Sequence, residues 1–222
     1  MLLTLPWFTQ RPLVRRSRQI AAVFTAHGLG SFLDRTGLYR FRPPFLRRAA
    51  PRDVPRSQAE HLRLAFGELG VSFIKLGQML STRADLIPAD FATEFARLQD
   101  SAPPVPLEAV RDIIVEDFGR PPEALFARFV PEPLASASIG QVHLATLPDG
   151  TEVVVKVRRP GVVEEVERDL ELLAAAARWA HEHTGFGRDL DLPALADEFA
   201  FTLRRELDYV REGQNAERFR RM

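Results

Sequence analysis

The sequence predicts an α+β fold, helical over most of its 222 residues, with a small antiparallel sheet between two helical stretches. Two patterns carry that reading. Beyond Ser57, the apolar residues Leu62, Phe66, Leu69, Phe73, Leu76 and Leu80 recur at steps of four and three, the spacing of one helix face. Farther on, the β-branched runs Ser138–Thr146 and Glu152–Arg158 flank Leu147-Pro148-Asp149-Gly150, a strong turn signal, and together they read as a hairpin.

Taken in order, residues 13–38 read as a helix followed by a shorter one, broken at Gly28-Leu29-Gly30. Pro43, Pro44, Pro51 and Pro55 among arginines mark 41–56 as a linker. Ser57-Gln58-Ala59-Glu60 has the capping-box pattern, in which serine and glutamate satisfy the amides that a helix start leaves free. One helix opened there would carry the whole stripe to Leu80. Pro88 opens a second, through Leu98, which Ser101-Ala102-Pro103-Pro104 ends, and a third runs from about Leu107 to Phe118 with Val110, Ile113 and Ile114 inward and Gly119 at its end. The sheet is expected after Pro131, with Arg159-Pro160-Gly161 closing the hairpin. Two long helices, about Val162–His183 and Pro193–Arg221, follow around a Gly185-Phe186-Gly187 loop.

At 45% hydrophobic residues the chain can bury one or two cores, which excludes disorder throughout. The lack of cysteine excludes disulfides and thiolate metal sites. His181-Glu182-His183 spaces its imidazoles off any shared helical face and reads as the polar end of a helix. The start, Met1 to Phe8, lacks the basic region of a secretory signal, and no run approaches ~20 apolar residues, so no membrane span is predicted. A cytoplasmic protein, or one peripheral on a membrane, is the expectation. Net charge is zero but uneven: residues 1–56 hold 11 arginines against Asp34 and Asp53, a balance of +9, which leaves −9 on the rest. A basic arm ahead of an acidic domain suggests contact with anionic lipid, nucleic acid or the domain itself.

Of the 30 basic residues only Lys75 and Lys156 are lysines. Where arginine serves nearly every positive charge, two lysines point to places where a compact ammonium is needed, between phosphate oxygens or against a carboxylate. Lys75 and Gln78 share a helix face with Gly77 between them, where a missing side chain allows close approach. Lys156 ends the run Val153-Val154-Val155. Ahead of it stands the small-residue stretch Ala135-Ser136-Ala137-Ser138-Ile139-Gly140. A small-residue loop between strands, with a lysine on the following strand, is how kinase-like folds cover and grip nucleotide phosphates. A lysine on a buried strand needs a carboxylate, and Glu206, Asp208 and Glu212 on the last helix are the candidates. Asp117-Phe118-Gly119 spells the metal-binding triplet of kinases, but it precedes the loop and ends an amphipathic helix, so it reads as a helix terminus.

Several blocks together resemble the UbiB/AarF family of atypical kinase-like proteins, from about Ala59 to the C-terminus and in the family's order. They are Phe73-Ile74-Lys75-Leu76-Gly77-Gln78, Ser81 to Pro88, Leu98-Gln99-Asp100, Pro133 to His143, the Lys156 strand with Arg159-Pro160-Gly161, and Glu206-Leu207-Asp208-Tyr209 through Glu212, Asn215 and Phe219. The resemblance implies a basic helical arm and linker over 1–56, a helical extension with the KxGQ motif over 57–130, and a kinase-like N-lobe over 131–222 on which the extension packs. It implies that Lys75, Gly77 and Gln78 form the KxGQ motif over the nucleotide site, on the side where a protein substrate would bind. Ala135 to Gly140 match the alanine-rich nucleotide loop, Lys156 the strand lysine, Glu206 and Asp208 the ExD motif that faces the KxGQ helix, and Glu212 the glutamate that pairs with Lys156.

ATP or ADP with Mg²⁺ are the ligands the family implies, with weak nucleotide contact expected from this chain alone. No catalytic residue and no metal ligand is assigned within it, because the resemblance places the catalytic-loop aspartate and asparagine and the metal-binding aspartate in a C-lobe beyond Met222. The chain is therefore expected to be the N-terminal portion of such a protein and not to turn over by itself. The expected partners are the missing C-lobe, a membrane surface, and quinone or other isoprenoid lipid or the proteins that make it; nucleic acid is not expected. The implied function is part of an atypical kinase or ATPase linked to ubiquinone biosynthesis. The alternative is a non-catalytic, membrane-peripheral scaffold of a lipid-synthesis complex, and a general protein kinase is disfavoured by Lys75 and Gln78 on its substrate side.

Overall fold

A computed structural model describes residues 11–29, 57–100 and 102–222. The short second helix read at 31–38, the proline-rich linker and most of the basic arm lie outside the described residues. The chain divides into two compact units: the described residues up to Gln99 with Val166–Leu203, and Asp100–Glu165 with Arg204–Met222.

The first unit is helical. Its helices are α1 (Arg11–Ala26), α2 (Gln58–Leu69), α3 (Val71–Ser81) and α4 (Ala89–Phe95), joined by most of α7 (Val162–His183), the short α8 (Gly185–Asp189) and most of α9 (Leu192–Leu207). Ser57 caps α2, its hydroxyl accepting the Glu60 amide at 3.1 Å, as the capping box requires. The stripe from Leu62 to Leu80 is not one helix. Gly70, at φ 94°, breaks it into α2 and α3. A residue at that angle cannot continue an α-helix, and only glycine adopts it without strain. The stripe still packs as one set: Ala65, Phe66, Leu69, Phe73, Phe95 and Leu98 are buried together, with Phe66 stacked on Phe95 at 5.1 Å. Gly185–Gly187, expected as a loop, is a turn of helix capped by the Thr184 hydroxyl, which accepts the Gly187 amide.

The N-terminal helix joins this unit through Ile20, Val23 and Phe24 in the core and through charge. Arg16 donates to both carboxylate oxygens of Asp169 at 2.7 Å and to the Leu69 carbonyl at 2.6 Å. Asp169 is wholly buried.

The second unit holds the sheet, with α5 (Leu107–Phe118), α6 (Pro122–Leu125) and α10 (Tyr209–Arg220). The expected hairpin is present as β3 (Gly140–Thr146) and β4 (Glu152–Arg158), and the Asp149 carboxylate accepts the Thr151 amide at their turn. Two short strands were not foreseen. β1 (Arg128–Phe129) and β2 (Ala135–Ser136) line the other edge of β3 at its two ends. Strands of two residues carry no readable alternation, which is why the sheet starts ahead of Pro131, where sequence placed it.

One sheet face carries Gln141, His143 and Ala145 of β3, paired with Val157, Val155 and Val153 of β4. Val155 and Val157 pack on Val110, Ile113 and Ile114 of α5. Gly119 ends α5 in the left-handed conformation (φ 68°), so Asp117-Phe118-Gly119 is a helix terminus, with Phe118 exposed. The last predicted helix is likewise two helices. α9 stops at Leu207, and Asp208 starts α10 by accepting the Arg211 amide at 3.0 Å.

Candidate nucleotide site

The second unit brings the alanine-rich loop and Lys156 onto one hairpin. The loop is tighter than its composition suggests. β2 pairs with β3, the Ala137 amide donates to the Gly140 carbonyl at 2.8 Å, and Ser138 and Ile139 form the tip. Ala135 is exposed, Ser136 and Ala137 are half-buried, and Ser138, Ile139 and Gly140 are buried. The tip amide of Ser138 donates to the Asp100 carboxylate at 2.9 Å, while the Ser138 hydroxyl is buried with no hydrogen-bond partner among the described residues.

Register then places the lysine. Gly140 pairs with Arg158 and Val142 with Lys156, so the ammonium stands on the sheet face opposite α5. Lys156 Nζ donates to Glu212 Oε2 of α10 at 2.7 Å, and of the three candidate acids it is Glu212 that forms this ion pair. Sequence reasoning expected a lysine buried on its strand. The side chain is instead 36% exposed, because alternate residues of β4 point away from α5 and Val154 beside it is 62% exposed. Asp208 is committed to capping α10, and Glu206 is exposed near the end of α9.

Tyr209, the first residue of α10, ties these parts together. Lys156 Nζ lies 4.3 Å from the centre of its ring, a cation–π contact. Its hydroxyl packs against Gly140, where an added Cβ would collide with it and would meet the Val157 carbonyl at 2.6 Å. Burial, with a smaller effect of the Glu212 charge, pushes the Tyr209 hydroxyl from its ordinary 10.0 to about 12.

Residues 102–105 hold the loop together with Asp100. Arg159 Nε donates to the Ala137 carbonyl at 2.8 Å, and its Nη2 donates to Ser136 Oγ at 2.9 Å and to the Pro103 carbonyl at 2.6 Å. Burial draws the Arg159 pKa below its usual value. Gln141, 2% exposed, accepts the Val105 amide at 2.7 Å and donates to the Val105 carbonyl at 3.4 Å. It also donates to His143 Nε2 at 2.9 Å, and His143 donates from Nδ1 to the Val130 carbonyl at 2.9 Å. That fixes the neutral imidazole with its proton on Nδ1.

Asp100, Arg159 and Tyr209 stood in the resembling blocks with no role of their own. Only Gln141 and His143 left a local signal, two polar residues at inward positions of an alternating strand.

In the first unit, Gly77 faces the core of α3, and an added Cβ would collide with the Leu98 side chain and come within 3.0 Å of Phe66. Gln78 Nε2 donates to the Leu98 carbonyl at 3.1 Å, and Lys75 is half-buried on the same helix.

The residues present fit a nucleotide phosphate. The loop already holds a carboxylate oxygen on a backbone amide, beside a buried hydroxyl with no partner among the described residues, and the Lys156 ammonium stands on the same hairpin. No group of three or more His, Asp or Glu side chains among the described residues is arranged to hold a metal ion. No described helix is long and apolar enough to cross a membrane.

A hairpin whose loop and strand lysine face a glutamate-bearing helix is the arrangement of a kinase-like N-lobe, and comparison with known proteins agrees. The ABC1 atypical kinase-like domain matches residues 97–222, more than half of the chain, and the chain belongs to that family. It is 41% identical over 211 residues to the probable protein kinase UbiB of Marinobacter nauticus, covering 94% of this chain and 39% of that protein. The UbiB of Xylella fastidiosa is 43% identical over 210 residues, covering 93% of this chain and 38% of that protein. An uncharacterized Synechocystis protein, sll1770, is 43% identical over 166 residues, 75% of this chain and 28% of that one. Among solved structures, a complex of Mycobacterium tuberculosis Rv3197 with erythromycin is 33% identical, with a TM-score of 0.40, and the match covers 68% of this chain and 38% of that one. The chain thus spans about two fifths of the length of the UbiB proteins it matches.

Proposed function

We propose that this chain supplies the nucleotide-gripping part of a UbiB-type atypical kinase or ATPase linked to the biosynthesis of ubiquinone or a related isoprenoid quinone. The observation that carries the reading is the Lys156–Glu212 pair, 2.7 Å long, on the hairpin that bears the alanine-rich loop. ATP or ADP is the ligand and Mg²⁺ arrives with it. The nucleotide would supply the phosphoryl group. The chain's own residues bind and orient it, Lys156 by its charge and the Ala135–Gly140 loop by its backbone amides. Lys75, Gly77 and Gln78, with Glu206 and Asp208, are the regulatory residues of that reading. Phosphoryl transfer depends on metal carboxylates and a catalytic aspartate, which a further kinase lobe is the partner to provide.

Titration calorimetry with ATP tests the reading. Binding by the chain, lost in Lys156→Ala, supports it; equal binding by both rejects it.

The charge distribution favours a second reading, a non-catalytic scaffold held to lipid-synthesis proteins at a membrane surface, since residues 1–56 carry +9. Co-sedimentation with anionic vesicles that is lost in high salt, together with no ATP binding, would select it.

A further inference from the structure

The tip of a phosphate loop normally offers its amides to the ligand, yet here the Ser138 amide is already engaged by a carboxylate at 2.9 Å. Three further features bear on that contact. The hydroxyl of the same residue is buried with no partner among the described residues, so the tip has a second donor in reserve. The backbone of residues 103–105 is fastened alongside the loop, through Arg159 on the Pro103 carbonyl and Gln141 on both polar groups of Val105. Arg159 also grips the loop itself, at the Ala137 carbonyl and Ser136 Oγ. These anchors stand beside the loop tip that the Asp100 carboxylate holds.

We propose that Asp100 is an internal stand-in for phosphate: its carboxylate holds the Ala135–Gly140 loop closed through the Ser138 amide and competes with a nucleotide phosphate for that donor. The inference rests on the nucleotide reading above. Asp100 is then a positioning residue, acting on the ligand through the loop. Two anions cannot share one amide, and a phosphate approaching the tip also meets the repulsion of the carboxylate. The Ser138 hydroxyl becomes useful only when the tip turns to the incoming phosphate.

Two substitutions separate holding from competing. Asp100→Ala removes the acceptor. Asp100→Asn keeps an acceptor oxygen for the Ser138 amide and removes only the charge. Hydrogen exchange at the Ser138 amide, followed by NMR without nucleotide, should quicken about tenfold or more in Asp100→Ala and much less in Asp100→Asn. In titration calorimetry Asp100→Asn should bind ATP about tenfold more tightly than the unaltered chain. A merely structural aspartate would give no such gain.

Unchanged Ser138 exchange in Asp100→Ala overturns the proposal, as does unchanged or weaker ATP binding by Asp100→Asn when the unaltered chain binds ATP. Absence of ATP binding in both chains overturns the nucleotide reading itself, and the competition with it, so the two failures are told apart.

Discussion

The ammonium of Lys156 rests 4.3 Å from the centre of the Tyr209 ring while donating to Glu212, so one tyrosine and one glutamate of α10 hold the strand lysine from two sides. Tyr209 also presses its hydroxyl on Gly140. Loop and lysine therefore share a support that neither motif contains.

Gly140→Ala places a methyl group between the Tyr209 hydroxyl and the Val157 carbonyl. The carbonyl belongs to the sheet and cannot yield easily, so overpacking should cost about 1–3 kcal/mol in urea unfolding. Adding Tyr209→Phe should recover only part of that loss. Full recovery would mean that the backbone contact is unimportant.

Lys156→Ala separates stability from binding. The ion pair is open to solvent on both sides, 36% exposed at lysine and 56% at glutamate. Its loss, with that of the cation–π contact, should lower stability by no more than about 1.5 kcal/mol. ATP affinity should fall at least tenfold. A large loss of stability would assign Lys156 a structural role.

Tyr209 makes a pH-dependent contribution whose sign follows from its raised pKa of about 12. The folded state holds the phenolic proton more tightly than the unfolded chain. That part of the stability is complete below pH about 10, the unfolded pKa, and is lost as pH rises toward 12. Tyr209→Phe should flatten the difference between unfolding midpoints at pH 9 and 11.5 relative to the unaltered chain. At neutral pH it should be as stable or more so, because it removes a buried hydroxyl with no partner among the described residues. Parallel pH curves would contradict this account.

Arg16→Met leaves the fully buried carboxylate of Asp169 without its guanidinium. Breaking such a pair from one side costs about 3–5 kcal/mol, whereas replacing both members with apolar residues is close to neutral. Thermal unfolding of Arg16→Met and of Arg16→Met with Asp169→Leu should show a large loss and then a substantial recovery. A single variant as stable as the parent would leave α1 held by its apolar face alone.

The sequence by itself determined what depends on near neighbours. The capping box at Ser57, the helix Leu107–Phe118 with its glycine end and the hairpin around Pro148 follow from hydrogen bonds and turn preferences within a few residues, and all three are present. The family blocks, Lys156 and its acidic partner were legible as well, since motif order survives in one dimension. Tertiary structure alone decided that Gly70 and Asp208 divide two continuous periodic stretches, because periodicity continues across a bend whenever both halves face one core. It also decided that the Lys156–Glu212 pair forms on the sheet face opposite α5 and stays open to solvent, since strand register and the placement of α10 are not written in the motif. The contacts of Asp100 with Ser138, Gln141 with Val105 and Tyr209 with Gly140 join residues 36 or more positions apart. Such bonds leave no local period to read, because an isolated polar residue looks the same in sequence whether water or a distant amide satisfies it.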